Sequence, residues 1–125
     1  MLAFARLQTI VCTSRREEAR VFYGDVLGLP LIGESHGALV YQVGAGELRV
    51  SPVPSTRPSE HTVIGFAVDD LNAQIGELAA KGVTFERFAN FRHDARGVVT
   101  TPEGAQVAWL RDPDGNLISV VQYAS

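Results

Sequence analysis

Side chains of a type that can do chemistry are few in this sequence. The histidines are His36, His61 and His93, the cysteine is Cys12, and the polar residues that strand alternation can aim at a shared space are Gln8, Arg49, Ser51, His61 and Ser119, with Tyr123 beyond them. Ser119 as a nucleophile would need a base and an orienting carboxylate. None stands beside it in the sequence, and its plainer reading is a small polar residue in a sheet. A metal held by His61 would need companions, for which Glu47 and Glu60 are the candidates; the plainer reading of all three histidines is a surface or loop position. Arg49 suits an anionic or carboxylate-bearing ligand, with an ion pair to Glu47 or another acid as the equal alternative. Trp109 either walls a site or fills the core, and an aromatic in a strand favours the core. The charged connection from Phe91 to Gly97 offers Arg92 and His93 as second-rank lid residues, because loops on a rigid scaffold often carry binding groups.

The elements that must position these residues follow from periodicity and turn chemistry. Ala3 to Cys12 is mostly apolar or β-branched and reads as a strand buried on both faces, which makes Cys12 an inert buried thiol. Ser14 with Glu17 has the form of a capping box. Ala19, Phe22, Tyr23, Val26 and Leu27 then recur at helical spacing, and Gly28 closes the helix. Strands are expected over Leu29 to Gly33, Ala38 to Val43 and Glu47 to Val53, with Gly44-Ala45-Gly46 as the turn between the last two. Pro52, Pro54 and Pro58 among serines and threonine interrupt regular structure and make residues 52–60 a linker.

The same order then starts again. Thr62 to Val68 is a strand, Asp69 or Asp70 caps a helix with an apolar face of Leu71, Ile75, Leu78 and Ala79, and Gly82 ends it. Strands are expected over Val83 to Phe88, Val98 to Thr101, Gln106 to Arg111 and from Leu117 onward. That is four after the helix, with a fourth in the first half hidden around Leu31 to His36. Asp112-Pro113-Asp114-Gly115-Asn116 is a tight turn that sets the register of the final strand. Leu117, Ser119, Val121 and Tyr123 then share one face, and Ile118, Val120 and Gln122 the other. In the strand around Ile64, the residues Ile64, Phe66 and Val68 face helices, while His61, Val63, Gly65 and Ala67 face away. Leu48 and Val50 likewise leave Glu47, Arg49 and Ser51 opposite. The repeat divides the chain into modules at residues 1–55 and 60–125, neither able to cover its own sheet alone.

Composition narrows the function classes. A chain of 125 residues with net charge -3 and a pI near 5.5 makes one ordinary domain and has no basic stripe with which to hold nucleic acid. One cysteine suits a reducing cytoplasm, no apolar run reaches the length of a membrane span, and no targeting signal is visible.

Phe22-Tyr23-Gly24-Asp25-Val26-Leu27-Gly28-Leu29, Val68-Asp69-Asp70-Leu71 and Trp109 to Asn116 together resemble the vicinal oxygen chelate superfamily, which includes glyoxalase I, bleomycin-resistance proteins, fosfomycin-resistance enzymes and extradiol dioxygenases. The resemblance covers essentially the whole chain. It implies an α+β fold of two βαβββ modules, a curled mixed sheet around a cleft with helices outside, in a homodimer. It also implies a divalent metal held from cleft-facing strands. Carried over by position, the ligand sites fall on Gln8, Val63, Ser119 and, less directly, Arg49, with Ser51 the next residue on its face. A divalent transition metal wants imidazole or anionic donors, three or more of them, and these residues do not supply that set. The sequence therefore points to a metal-independent protein, without cofactor, that binds a small and possibly anionic organic molecule in the cleft. The alternatives are a metal-dependent lyase, isomerase or dioxygenase with a site relocated to Gln8 and His61, a drug-sequestering resistance protein, and a catalytically silent regulatory domain.

Overall fold

The computed structural model describes residues 1–124; Ser125, with which the second expected module ends, lies outside the described residues. The chain divides into two compact units, Met1–Arg57 and Pro58–Ser125.

The first unit runs β1 (Gln8–Thr13), α1 (Arg16–Arg20), a π-helical turn (Val21–Val26), β2 (Leu31–Ser35), β3 (Ala38–Val43) and β4 (Gly46–Pro52). The second repeats it as β5 (Ile64–Ala67), α2 (Leu71–Ala80), β6 (Val99–Thr100), β7 (Gln106–Arg111) and β8 (Leu117–Gln122). The sheets have the same plan, β1-β4-β3-β2 and β5-β8-β7-β6. In each, the first strand lies parallel to the last, and the other pairs are antiparallel. Three strands follow each helix, so Leu31–Ser35 is an ordinary member of the first sheet, and among the described residues there is no extra strand.

Val83 to Phe88 is the stretch that differs. It forms no strand, although the Glu86 N–H donates to the Trp109 carbonyl at 2.8 Å. Side chains hold it instead, with Arg111 Nε on Glu86 Oε1 at 2.7 Å. β1 also begins later than its composition suggests. Ala3 to Leu7 lie outside it, exposed, and the strand alternates rather than being buried on both sides: Val11 and Thr13 are buried while Ile10 and Cys12 are exposed. Cys12 is thus not the buried thiol expected, because its neighbours in the strand take the covered face.

The first helix starts at an Arg15 N-cap with no side-chain cap bond; the Arg15 N–H donates to Thr13 Oγ1 at 3.0 Å. Glu17 falls one position short of the capping-box place and pairs with Arg16 and Arg20 at 3.2 and 3.6 Å. The helix then widens, the Leu27 N–H donating to the Phe22 carbonyl five residues back, and Gly28 ends it at φ +72°. Ala19 and Tyr23 are buried on the sheet, and Tyr23 packs on Tyr41 with ring centroids 6.1 Å apart. Arg16 and Arg20 share Glu34 of β2, the former at 2.9 Å.

In the second unit Asp70 is the N-cap, its Oδ1 accepting the Ala73 N–H at 3.1 Å, and Gly82 closes α2 at φ +89°. Leu71, Ile75 and Leu78 are buried; Ala79 is exposed, one position round from that stripe. The Leu71 N–H also donates to Gln122 Oε1 at 2.8 Å, tying the helix start to β8. Among the described residues no helix is long and apolar enough to cross a membrane.

Candidate functional site

The site is built on the face of the second sheet that α2 does not cover, and the turn at Asp112 sets it. Asp112 is buried, and its Oδ1 accepts the N–H groups of Asp114 (3.0 Å) and Asn116 (2.8 Å) while Oδ2 accepts the Asn116 side-chain amide at 2.8 Å. Gly115 supplies the left-handed residue at φ +90°, and Arg111 Nη1 donates to its carbonyl at 2.8 Å. So fixed, β8 pairs Ser119 with Trp109 on one side and with Gly65 on the other, and Val121 with Val107 and Ala67. Ile64, Ala108, Leu110, Ile118 and Val120 are buried behind them, so alternation leaves Gly65, Ala67, Val107, Trp109, Ser119 and Val121 on the open face. A Cβ on Gly65 would stand 3.3 Å from Ser119 Oγ; glycine there keeps Ser119 uncrowded.

Two recesses share Thr62 and Trp109 in their walls. One, of about 430 Å³, is lined by Glu60, His61, Thr62, Phe88, Asn90, Phe91, Trp109 and Leu117. The other, of about 400 Å³, has Thr101, Glu103, Val107, Ser119, Val121 and Tyr123 among its walls. Each has the volume of an organic ligand site. Neither is lined by lysine or arginine.

The aromatic wall of the first recess joins Trp109 of β7 to Phe88 and Phe91 from the connection between α2 and β6. Phe91 stacks on Trp109 with centroids 5.7 Å apart and planes 13° apart, and Phe88 meets Trp109 edge-on at 5.3 Å. Phe91 is 46% exposed. The connection is tied internally. The Phe88 N–H donates to His93 Nε2 at 2.9 Å, His93 Nδ1 lies 2.7 Å from the Gly97 carbonyl oxygen, and Asp94 Oδ1 accepts the N–H groups of Arg96 and Val98 at 2.9 Å each. The Val98 N–H, foremost, holds the Asp94 carboxyl below its ordinary range.

The structure thus brings His61, Trp109, Ser119 and Tyr123 to the recesses and puts His93 behind the aromatic wall. Trp109 is half-buried and walls the recess; it does not fill the core, because Ala108 and Leu110 take the covered face of β7. Arg92 is exposed and lines neither recess. Gln8, Arg49 and Ser51 share the open face of the first sheet, where β1 and β4 pair Gln8 with Glu47 and Cys12 with Ser51. Arg49 Nη2 donates to the Ser35 carbonyl at 2.8 Å, while Glu47 takes Gln8 Nε2 at 3.3 Å and lies 3.6 Å from Arg6 Nε. Thr62, Phe88 and Phe91 were not legible as site residues. For Phe88 and Phe91 the one signal is a pair of aromatics three residues apart, which core packing explains as well.

A divalent metal is tested by the donors present. Val63 is aliphatic, Ser119 a neutral hydroxyl, Arg49 a cation bonded to a carbonyl, and the Gln8 amide is turned on Glu47. Among the described residues no three His, Cys, Asp or Glu side chains come together. These residues do not fit a divalent transition metal.

Comparison with known proteins gives the lineage. The family model described as Glyoxalase/Bleomycin resistance protein/Dioxygenase superfamily matches residues 6–120. No curated protein matches the chain. Among solved structures it is similar to TnmS3, an antibiotic binding protein from Streptomyces sp. CB03234 (TM-score 0.77, 24% identity, 99% of each chain covered). It is also similar to lactoylglutathione lyase from Agrobacterium tumefaciens (TM-score 0.70, 20% identity, 95% of this chain and 93% of that one). A third is a glyoxalase/bleomycin resistance protein/dioxygenase from Alicyclobacillus acidocaldarius (TM-score 0.72, 17% identity, 98% and 93%). At these identities the likeness is one of fold, two βαβββ modules each with its own four-stranded mixed sheet. With that fold, and a family match across nearly its whole length, the chain belongs to the glyoxalase/bleomycin resistance/dioxygenase superfamily.

Proposed function

We propose that this protein is a metal-independent member of its superfamily that binds and sequesters a flat aromatic molecule, neutral or cationic, on the open face of the second module. The observation that carries this is the exposed aromatic wall, Phe91 stacked on Trp109 with Phe88 at its edge. These rings border an open recess with His61, Thr62 and Asn90 at hand for hydrogen bonds. Glu60 and Glu103 are the charges in the recess walls, which turns the preference from the anion suggested by Arg49 toward a neutral or positive ligand. The antibiotic-binding relative supports sequestration as the mode of action. The donor set supports metal independence. The exposed Met1, Leu2, Phe4 and Leu7 support a homodimer.

Trp109 is the only tryptophan, so its fluorescence reports the site without a label. Titration with 9-aminoacridine, a flat cation, is expected to quench it, and anthracene-9-carboxylate to bind more weakly. Trp109→Ala, followed by calorimetry, should weaken binding about tenfold, the worth of one good ring contact. No heat and no quenching with either compound at millimolar concentration sinks the reading. Near-stoichiometric zinc, nickel, iron or manganese in protein purified without chelators sinks its metal-independent part.

A further inference from the structure

Both ring nitrogens of His93 are engaged by the backbone of its own loop. A backbone N–H can only donate, so the Phe88 N–H at 2.9 Å requires a lone pair on Nε2. The ring proton then sits on Nδ1, which donates to the Gly97 carbonyl oxygen at 2.7 Å. The geometry therefore demands the neutral ring with its proton on Nδ1. A second proton would put Nε2–H against the Phe88 N–H, donor facing donor.

The bond at stake carries the aromatic wall. Phe88 is its donor residue, Phe91 is joined to it by an N–H to the Phe88 carbonyl at 3.0 Å, and the His93 ring itself meets Trp109 edge-on at 6.1 Å. The charged neighbours are already committed. Asp94 is turned to Val98 and Arg96, and Arg87 donates to the Ala95 carbonyl. On β7, Arg111 is paired with Glu86; β6, which meets His93 through the Val99 bridge, brings no charge. Arg92 is exposed beside it, and Glu60 and His61 line the recess that Phe88 and Phe91 wall. With backbone on both ring nitrogens, no carboxylate holds a charge on the ring.

We propose that His93 is the positioning residue and proton switch of the aromatic recess. Neutral, it pins Phe88 and Phe91 against Trp109; doubly protonated, it releases them, so that the recess takes its ligand near neutrality and gives it up in acid. The ligand half rests on the binding function proposed above, while the structural half stands without any ligand.

The test is nuclear magnetic resonance on the whole protein at about pH 8 and about pH 5, a span across which imidazole commonly takes its second proton. Nitrogen shifts are expected to show the Nδ1–H tautomer at the higher pH. The protection factor of the Phe88 amide should fall about tenfold at the lower pH, the loss of one hydrogen bond, while core amides such as Leu110 keep theirs. His93→Gln, which retains an acceptor but does not titrate, should abolish the fall, and His61→Gln should leave it. The Nε2–H tautomer at high pH, equal Phe88 protection at both pH values, or loss of the response in His61→Gln each overturns the switch. If His93→Gln does not fold, the wild-type tautomer and protection factors decide alone. Binding of 9-aminoacridine is expected to weaken in parallel. Equal affinity at both pH values overturns the ligand half; no binding at either pH refutes the binding function, with the structural half still judged by the amide data.

Discussion

Asp112→Ala removes the acceptor around which the last turn is tied, and the structure fixes what that should cost. The hydrogen bonds from Asp114 and Asn116 to its carboxylate are lost. The Asp114 N–H sits at a half-buried position and finds water, but the Asn116 N–H and side-chain amide belong to a residue only 8% exposed. Two buried donors left without their charged partner give a loss of about 3 kcal/mol, at the low end of the range for such bonds because the chain relaxes. For a chain of this size that lowers Tm by roughly 10 °C. Urea unfolding followed by Trp109 fluorescence reads the second unit directly, and the midpoint should fall with an unchanged slope. Asp112→Asn keeps the shape and one acceptor oxygen, so it should lose about half as much. A loss below about 1 kcal/mol for the alanine variant would mean that the buried carboxylate neither holds the turn nor fixes the register of Ser119.

Other perturbations probe separate parts of the molecule. Tyr41 is fully buried, and its hydroxyl has no hydrogen-bond partner among the described residues; Tyr41→Phe should leave stability unchanged or raise it by up to about 1 kcal/mol in denaturant unfolding. Gly97→Ala forces a side chain to φ +98° with its Cβ 3.1 Å from Phe85 Cβ, and should cost about 1–2 kcal/mol in denaturant unfolding. Asp94, its carboxyl lowered first by the Val98 N–H, stabilises its loop above the ordinary carboxylate range and loses that contribution as pH falls through the lowered value. Amide exchange at Val98 should show less protection at the acid end in the wild type, and no such step in Asp94→Asn.

What could be read from residues alone was what turn chemistry and strict alternation decide. Asp70, Gly28 and Gly82 bound their helices as expected, and β3, β7 and β8 lie where their alternation puts them. The helix stripe Leu71, Ile75 and Leu78 is buried as its spacing requires. The failures share a cause: an apolar side chain does not say which face of a sheet it takes. Ile10 and Cys12 sit on an open face because Val11 and Thr13 fill the covered one. Val83 to Phe88 has strand composition but spends its side chains on Arg111 and Trp109 rather than its backbone on a ladder. The recess was half legible for a related reason. Ser119 follows from strand register, whereas His61 lies three residues before β5, and Phe88 and Phe91 reach Trp109 through a loop whose path depends on a histidine bonding backwards to it.

The parallel pairing of first and last strands has a bearing on how the chain is made. In each sheet the strand synthesised last is an interior one: β4 lies between β1 and β3, and β8 between β5 and β7. Until Leu117–Gln122 leaves the ribosome, β5 has no strand beside it, and Ile64 must wait for Ile118. Folding is therefore completed by insertion into the middle of a sheet, a closure across long sequence separation of the slow kind. The loss of β8 would leave β7 and β6 as a hairpin and β5 as a stray ribbon.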